Sequence, residues 1–178
     1  KYDPDGLRLF SLDETVSYTF DIDAVLEGLE DYVLSQNTSE RFRMLAEPIG
    51  GVFGCATYRC LIEACIQLFV HPEWYDIRPV HVLWEHKVCM LARIRYLEGE
   101  GYLNVADGLG DLYATIEMQA RTLRMMMLKL RVSRDTEILK RIIQKLEHLA
   151  QDEGRILMCV LETLRVMPYI KRKEALTS

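Results

Sequence analysis

The most regular pattern of apolar and polar residues lies in the last third of the chain. From about residue 104 to residue 167, two sets of apolar positions recur every three or four residues, the period of one face of an α-helix. The first set is Leu109, Leu112, Tyr113, Ile116, Ala120, Leu123, Met127 and Leu130. The second set is Ile138, Ile142, Leu146, Leu149, Leu157, Val160, Leu164 and Met167. Because only the short turn 132–135 separates them, the pattern predicts two helices that fold back as a hairpin.

Three earlier segments also have helical periods. Residues 21–35 are predicted to form a helix capped by Asp21 or Asp23, since an aspartate accepts hydrogen bonds from free N–H groups at a helix start. A short helix is expected around Phe42 and Leu45, ended by proline and glycines. Residues 79–97 are predicted to form a third helix. Its inward positions would be Val80, Leu83, Trp84, Val88, Leu91 and Ile94.

Residues 52–70 are almost continuously apolar or small. The polar exceptions are Arg59, Glu63 and Gln67, which lie four residues apart and form one narrow stripe on a helix. A helix with so little polar surface is expected in the middle of a bundle. The alternative is that one flank of this helix contacts a partner or lines a ligand cavity.

Together these patterns predict an all-α fold without internal repeats. Residues 1–178 are expected to form a single domain, a bundle of five or six helices that ends in the long hairpin. Residues 1–20 would be an irregular N-terminal arm, and residues 168–178 a basic C-terminal tail. Stacked helix pairs, as in helical-repeat proteins, are the alternative arrangement.

The net charge of −5 is mild, but it is unevenly distributed. Residues 1–50 contain four basic and eleven acidic residues, a net charge of −7. Residues 121–145 contain eight basic and two acidic residues, a net charge of +6. The acidic N-terminal part packs near the basic hairpin, or both simply face water; the alternative is that the hairpin tip binds an anionic partner.

Cysteine usage and hydropathy favour an intracellular protein, cytoplasmic or nuclear. Five cysteines leave at least one free thiol. Cys55, Cys60 and Cys65 are each five residues apart, which turns neighbours about 140° from each other on a helix and prevents local pairing. We therefore expect buried, reduced cysteines. The glycosylation sequon at Asn37 is the contrary signal. No apolar run approaches the roughly 20 residues that a membrane span needs.

The sequence contains no recognisable catalytic motif, and we expect no enzyme and no cofactor. Phosphate-binding glycine motifs, a serine nucleophile elbow and paired Cys-x-x-Cys ligands are all missing. His81 and Glu85 share a helix face but lack a further ligand at metal-binding spacing, so a surface histidine is the simpler interpretation. Glu47, Glu63 and Glu85 are the acids expected nearest to apolar faces, and nothing brings them together.

The basic hairpin is the best candidate for a binding surface. Three consecutive methionines, Met125 to Met127, cover almost a full helical turn, so at least one must face away from the core. Exposed methionine beside arginine suits an apolar partner helix. The candidate partner-binding residues are Arg121, Arg124, Met126, Lys129, Arg131, Arg134, Lys140 and Arg141.

We therefore predict a non-enzymatic protein–protein interaction or scaffold domain whose partner is another protein or a second copy of the chain. One alternative is a secreted carrier of an apolar small molecule. Its cavity would be lined by Phe53, Leu61, Leu83, Met127 and Leu157. A second alternative is a nucleic-acid-binding domain that uses the same basic residues on phosphates, although this stretch lacks the interleaved aromatic residues on which bases stack.

Overall fold

The computed structural model describes residues 20–41 and 46–166, and in these residues the protein is an all-α helical bundle without strands. Its five helices are α1 (Ile22–Leu34), α2 (Thr57–Gln67), α3 (Arg78–Gly99), α4 (Leu109–Ser133) and α5 (Thr136–Arg165). Short 3₁₀ turns lie at Thr38–Arg41, Gly54–Ala56, Pro72–Trp74 and Val105–Asp107. No helix in the described residues is both long and apolar enough to cross a bilayer.

The predicted hairpin is confirmed, and α4 and α5 form the centre of the bundle. The turn between them is tight because Arg134 adopts a left-handed conformation (φ 53°) and Asp135 caps the start of α5. Apart from Gly110, the buried positions of α4 are Leu109, Tyr113, Ile116, Ala120, Leu123, Met127 and Leu130. They alternate steps of three and four residues, which is the narrow seam of a 3.5-residue repeat. Leu112 was predicted to face inward, which is wrong: the seam position is its neighbour Tyr113, and Leu112 is 49% exposed.

Helix α3 packs against α4 along a similar seam. Its buried residues from Val80 to Leu97 are Val80, Leu83, Lys87, Met90, Ile94 and Leu97. The predicted inward position of Val88 is wrong, because the seam passes through Lys87 and leaves Val88 42% exposed. The helix also continues two residues beyond its predicted end, to Gly99. Its buried Glu98 accepts a hydrogen bond from the N–H of Gly110 at 2.9 Å.

Helix α2 is shorter and more exposed than predicted. It begins at Thr57 rather than near residue 52, and of its residues only Tyr58 and Cys65 are buried. Its main helix contact in the described structure is with α5, so it covers the hairpin from outside instead of filling the middle of the bundle. An apolar composition shows that a helix can be buried, but it does not say how many neighbours surround it. Ile66, Phe69 and Val70 remain exposed at its end.

Helix α1 begins where predicted and packs against α5. The side chain of Asp21 accepts hydrogen bonds from the N–H groups of Asp23 and Ala24, both at 3.0 Å. Acidic residues of α1 form ion pairs with Arg41 and Arg165, which lie outside the basic segment 121–145. The predicted N-terminal arm, apart from Phe20, the helix around Phe42 and Leu45, and the C-terminal tail lie outside the described residues.

Candidate functional site

The outward face of α4 carries a row of exposed apolar and basic side chains, which we call the α4 ridge. It consists of Met118, Arg121, Met125, Leu128, Lys129 and Val132. Their spacing of mostly three or four residues places them on one side of the helix. Met125 is 54% exposed and Val132 is 87% exposed. The ridge therefore combines apolar surface with positive charge, and it contains two of the eight candidate residues, Arg121 and Lys129.

The methionine triplet divides between surface and core. Met125 faces solvent, while Met127 is 2% exposed and belongs to the buried seam, as a helical turn requires. Met126 is half-buried and packs against the core. The prediction that one methionine must face outward is confirmed, but that methionine is Met125, and Met126 is not a surface contact of the kind expected.

Two of the candidate arginines are held against aromatic rings. The guanidinium carbon of Arg124 lies 5.2 Å from the ring centroid of Trp84, and its Nε donates a hydrogen bond to Nδ1 of His81 at 3.0 Å. Arg131 lies 5.3 Å from the ring centroid of Tyr75. Stacking restricts the guanidinium while leaving its edge free for a planar anion. Arg124 is half-buried in this arrangement, whereas Arg131 is exposed.

A groove of about 600 Å³ lies beside the turn of the hairpin, and we call it the tip groove. It is lined by Leu68, Phe69, Pro72, Glu73, Tyr75, Leu130, Arg131, Arg134, Thr136 and Leu139. One wall is fixed to α4, because the hydroxyl of Tyr75 donates a hydrogen bond to the backbone carbonyl of Met127 at 2.8 Å. The hairpin supplies both arginines, and buried leucines form much of the apolar lining.

The basic side chains of the hairpin are largely without acidic partners. Of the eight in residues 121–145, the described structure pairs only Lys140 with a carboxylate, that of Glu137 at 2.7 Å. Lys140 and Arg141 are exposed on α5 and do not line the groove. The structure thus places two candidate residues on the α4 ridge, two in the tip groove and an outlying pair on α5, while Arg124 and Met126 are half-buried and belong to none of these groups.

The most unusual site in the described structure was not predicted from the sequence. The Nζ atom of Lys87 lies 2.8 Å from Oε2 of Glu153, and both side chains are fully buried. Three tyrosines donate hydrogen bonds to Glu153: Tyr58 at 2.7 Å, Tyr113 at 2.5 Å and Tyr32 at a longer 3.4 Å. Each of the five helices contributes one of these five residues. We call them the buried polar cluster.

Burial changes the ionisation of groups in and around the buried polar cluster. Desolvation lowers the pKa of Lys87, although the neighbouring carboxylate of Glu153 opposes this effect. Desolvation also raises the pKa of Tyr32, Tyr58 and Tyr113, and the negative charge of Glu153 adds to the shift, so all three remain hydrogen-bond donors. Because Lys87 and Glu153 are inaccessible to solvent, this arrangement suits a structural role rather than substrate chemistry.

A second cavity of about 390 Å³ lies between α1 and α3. Its lining includes the floor residues Leu29, Met90, Ile94 and Val160, with His86 stacked on Tyr32 at a centroid distance of 4.9 Å. This α1–α3 cleft differs from the predicted ligand cavity. Of the five residues named for that cavity, only Phe53 lines the cleft, whereas Leu83, Met127 and Leu157 are packed in the core. Those three belong to the buried seams of α3, α4 and α5.

The predicted positions of other reactive groups are partly wrong. Glu47, Glu63 and Glu85 are all exposed, and the glutamates that penetrate the core are Glu98 and Glu153. Both ring nitrogens of His81 have partners. Its Nδ1 accepts a hydrogen bond from Nε of Arg124, and its Nε2 lies 3.3 Å from Oε1 of Glu85. In the part of the chain that the structure describes, no three His, Cys, Asp or Glu residues are arranged to hold a metal ion.

The cysteines are free thiols, but most are not buried. Cys65 is buried and Cys55 is half-buried, whereas Cys60, Cys89 and Cys159 are exposed. The prediction of burial was wrong for these three because they lie off the helix seams. Burial raises the pKa of Cys55 and Cys65 to about 11, which makes both poor nucleophiles.

No family model, curated protein or solved structure matches the chain. Function must therefore be inferred from the chemistry of these surfaces and cavities. The α4 ridge and the tip groove are accessible and positively charged, the α1–α3 cleft is accessible and mainly apolar, and the buried polar cluster is closed.

Proposed function

We propose that this protein is a non-enzymatic interaction domain that binds an acidic amphipathic helix of a partner protein on the α4 ridge. The observation that carries this proposal is the alignment of four exposed apolar side chains with two basic ones along a single helix face. Met118 is 58% exposed, Met125 is 54% and Leu128 is 38%. A contiguous row of exposed apolar side chains rimmed by charged ones is typical of a surface that another protein covers.

The chemistry of the ridge suits a helical partner. Methionine side chains are flexible and polarizable, so they adapt to the apolar face of an incoming helix. Arg121 and Lys129, neither of them paired with a carboxylate in the described structure, would meet acidic residues at the edges of that helix. Opposite charges at the rim mainly raise the association rate and select the partner, while the apolar contacts provide affinity.

The same charges argue against a second copy of the chain as the occupant. In a two-fold symmetric dimer built on the α4 ridge, each face would meet its own copy, and the basic residues would gather in one interface. Like charges brought together in an interface are unfavourable. A different, acidic protein therefore fits this face better. The free thiols support an intracellular setting for this interaction.

A site-specific photo-crosslinker at Met125 tests the proposal, with the same group at the exposed His148 of α5 as the matched control. We expect crosslinks from the ridge position to an acidic helical segment of a defined protein, and none from the control position. The purified partner should then bind the wild-type chain and bind about tenfold more weakly after Leu128→Ser. Equal crosslinking from both positions, or none from the ridge, would contradict the proposal.

The α1–α3 cleft supports a second candidate function, the carriage of an apolar small molecule. Its volume of about 390 Å³ falls within the usual range of ligand sites, and its floor is apolar. Native mass spectrometry of the purified protein, followed by organic extraction, tests this candidate. A bound molecule of stoichiometric amount, lost after Gly28→Leu narrows the cleft, would support it. A single unliganded mass would argue against carriage.

A further inference from the structure

We infer that the tip groove is a separate docking site for a short partner segment in which an aspartate or glutamate stands beside a bulky apolar residue. This inference rests on the proposed function in one respect, namely that the natural ligand is a protein. The groove itself is distinct from the α4 ridge, since none of the ridge residues lines it. Its volume of about 600 Å³ accommodates several side chains.

The floor of the groove would hold the apolar residue of the segment. Leu130 and Leu139 are buried, at 8% and 3% exposure, and they come from the two arms of the hairpin. Phe69 at the end of α2 is 41% exposed and forms part of the opposite wall. An aliphatic or aromatic side chain placed against this floor would remove from water mainly its own apolar surface and that of Phe69.

The two arginines would hold the carboxylate. Arg131 is positioned by the ring of Tyr75, and Tyr75 is itself anchored to α4 by its hydroxyl. The guanidinium is therefore partly ordered before a ligand arrives, which reduces the entropy lost on binding. Arg134 lies three residues further along, in the turn itself. In the described structure neither guanidinium is paired with a carboxylate, so an incoming carboxylate does not have to displace one.

One acidic residue lines the same groove and gives the inference an internal check. Glu73 stands on the wall opposite the hairpin, and its Oε1 lies 3.1 Å from Nδ1 of His71. The three charged residues of the groove thus carry a net positive charge. An acidic ligand would be attracted by Arg131 and Arg134 and repelled by Glu73. Removing the negative charge should therefore have the opposite effect from removing a positive one.

Nucleic acid is a poorer fit to this groove than an acidic peptide. Single-stranded nucleic acids bind through bases that stack on accessible aromatic rings. The aromatic residues that line the groove are Phe69 and Tyr75, and one face of the Tyr75 ring is covered by Arg131. Among the lining residues that leaves Phe69 as the exposed ring, which also has to serve as an apolar wall.

Selection from a displayed library of short random peptides against the full chain tests the inference. We expect enriched peptides to place Asp or Glu within one or two positions of Leu, Ile or Phe. Their affinity, measured by fluorescence anisotropy, should fall about tenfold in Arg131→Gln and in Arg134→Asn. Asparagine is chosen for position 134 because it tolerates the left-handed backbone there. Glu73→Gln should instead strengthen binding severalfold.

Two matched variants control for general charge. Arg141→Gln and Lys145→Gln on α5 each remove one exposed positive charge outside the groove, and both should leave peptide affinity within about twofold. Thermal unfolding checks that each variant is folded. Arg134 lies in an exposed turn, so Arg134→Asn is expected to fold. It therefore keeps the test valid if Arg131→Gln, which removes the stack on Tyr75, proves unstable.

Several outcomes would overturn the inference. They are the enrichment of no peptide, the enrichment of peptides without acidic residues, and affinities that do not respond to Arg134→Asn. Tighter binding of an oligothymidylate that depends on the same two arginines would assign the groove to nucleic acid instead. Concentration-dependent dimerisation that disappears in Arg134→Asn would assign it to a second copy. By contrast, peptide binding that is unchanged in Leu128→Ser would support the inference, because it would show that the groove binds peptide independently of the ridge.

Discussion

Lys87 on α3 and Glu153 on α5 form a fully buried ion pair with an Nζ–Oε2 distance of 2.8 Å. The hydroxyls of Tyr32, Tyr58 and Tyr113 complete the hydrogen bonding of the pair and connect the remaining three helices to it. A buried charged pair contributes little net stability compared with a well-packed apolar one. Its directional bonds, however, are satisfied in only one relative placement of the five helices. We interpret the buried polar cluster as a device that fixes helix register.

The first prediction concerns the loss of one member of this pair. Glu153→Leu should lower the free energy of unfolding by about 3–5 kcal/mol, because the buried amine of Lys87 loses its compensating carboxylate and three hydroxyls lose their acceptor. Chemical denaturation measures this change. Lys140→Met, which removes an exposed ion pair with Glu137, is the control and should change stability by less than about 1 kcal/mol. Equal effects of the two substitutions would show that the buried pair is dispensable.

The double variant Lys87→Met/Glu153→Leu sharpens this prediction. Its cost should be smaller than the sum of the two single costs, since no uncompensated charge then remains. Some loss should persist because the tyrosine hydroxyls still lack their acceptor. Additive costs would mean that the two residues act independently, which would contradict the direct contact.

A second prediction concerns pH. Burial, assisted by the charge of Lys87, lowers the pKa of His86 to about 4 from its ordinary value of 6.5. At a pH between these two values, the imidazole of His86 is mostly protonated in the unfolded chain and mostly neutral in the folded protein. The stability associated with neutral His86 is therefore complete above about pH 6.5 and is lost as the pH falls toward 4, by up to about 1.4 kcal/mol per pH unit.

His86→Phe tests this pH dependence because phenylalanine can still stack on Tyr32 but cannot titrate. Denaturation curves at several pH values between about 4 and 6.5 should show a flatter decline in the variant than in the wild type. The exposed His148 provides the control, and His148→Phe should retain the wild-type slope. If both variants show the wild-type slope, His86 is accessible to protons in the folded state.

A third prediction compares two glycines near the α1–α3 cleft. Gly28 lies in the middle of α1, where a Cβ atom would meet nothing within 4 Å. Gly28→Ala should stabilise the protein by about 0.5–1 kcal/mol through its better helix propensity. Gly54 has φ +56°, and a Cβ there would collide with the backbone carbonyl of Tyr32. Gly54→Ala should destabilise by at least about 1–2 kcal/mol. Thermal unfolding of both variants should show melting temperatures shifted in opposite directions.

A fourth prediction concerns thiol reactivity. In the folded protein, Cys60, Cys89 and Cys159 should react rapidly with an aromatic disulfide reagent because they are exposed. Cys55 and Cys65 should react slowly, since burial limits access and raises the pKa of each to about 11. Peptide mapping after brief labelling identifies the modified positions, and all five should react in denaturant. Rapid labelling of Cys65 in native conditions would indicate that α2 separates readily from α5.

The charged pair of the buried polar cluster was predictable in principle from the sequence. The seam of α3 steps from Leu83 to Met90 through Lys87, and the seam of α5 steps from Leu149 to Leu157 through Glu153. Applying a strict 3.5-residue repeat would have shown two opposite charges at core positions. When the inward face of α3 is assigned from apolar residues alone, Val88 takes the place of Lys87, and the buried charge is not seen. The pairing itself could not be derived, because nothing local connects α3 to α5.

The sequence alone determined the elements that depend on neighbours along the chain. The period of apolar residues specified α1, α3, α4 and α5, and the short turn between the last two imposed the hairpin. The tertiary structure alone decided which neighbour covers each face. It packed α2 against α5 on the outside of the hairpin, joined Tyr58 to Glu153 across 95 residues of chain, and set Tyr75 against Arg131 beside the tip groove. The physical reason is that apolar surface is buried without directional preference, so its pattern specifies a face but not the partner that packs on it.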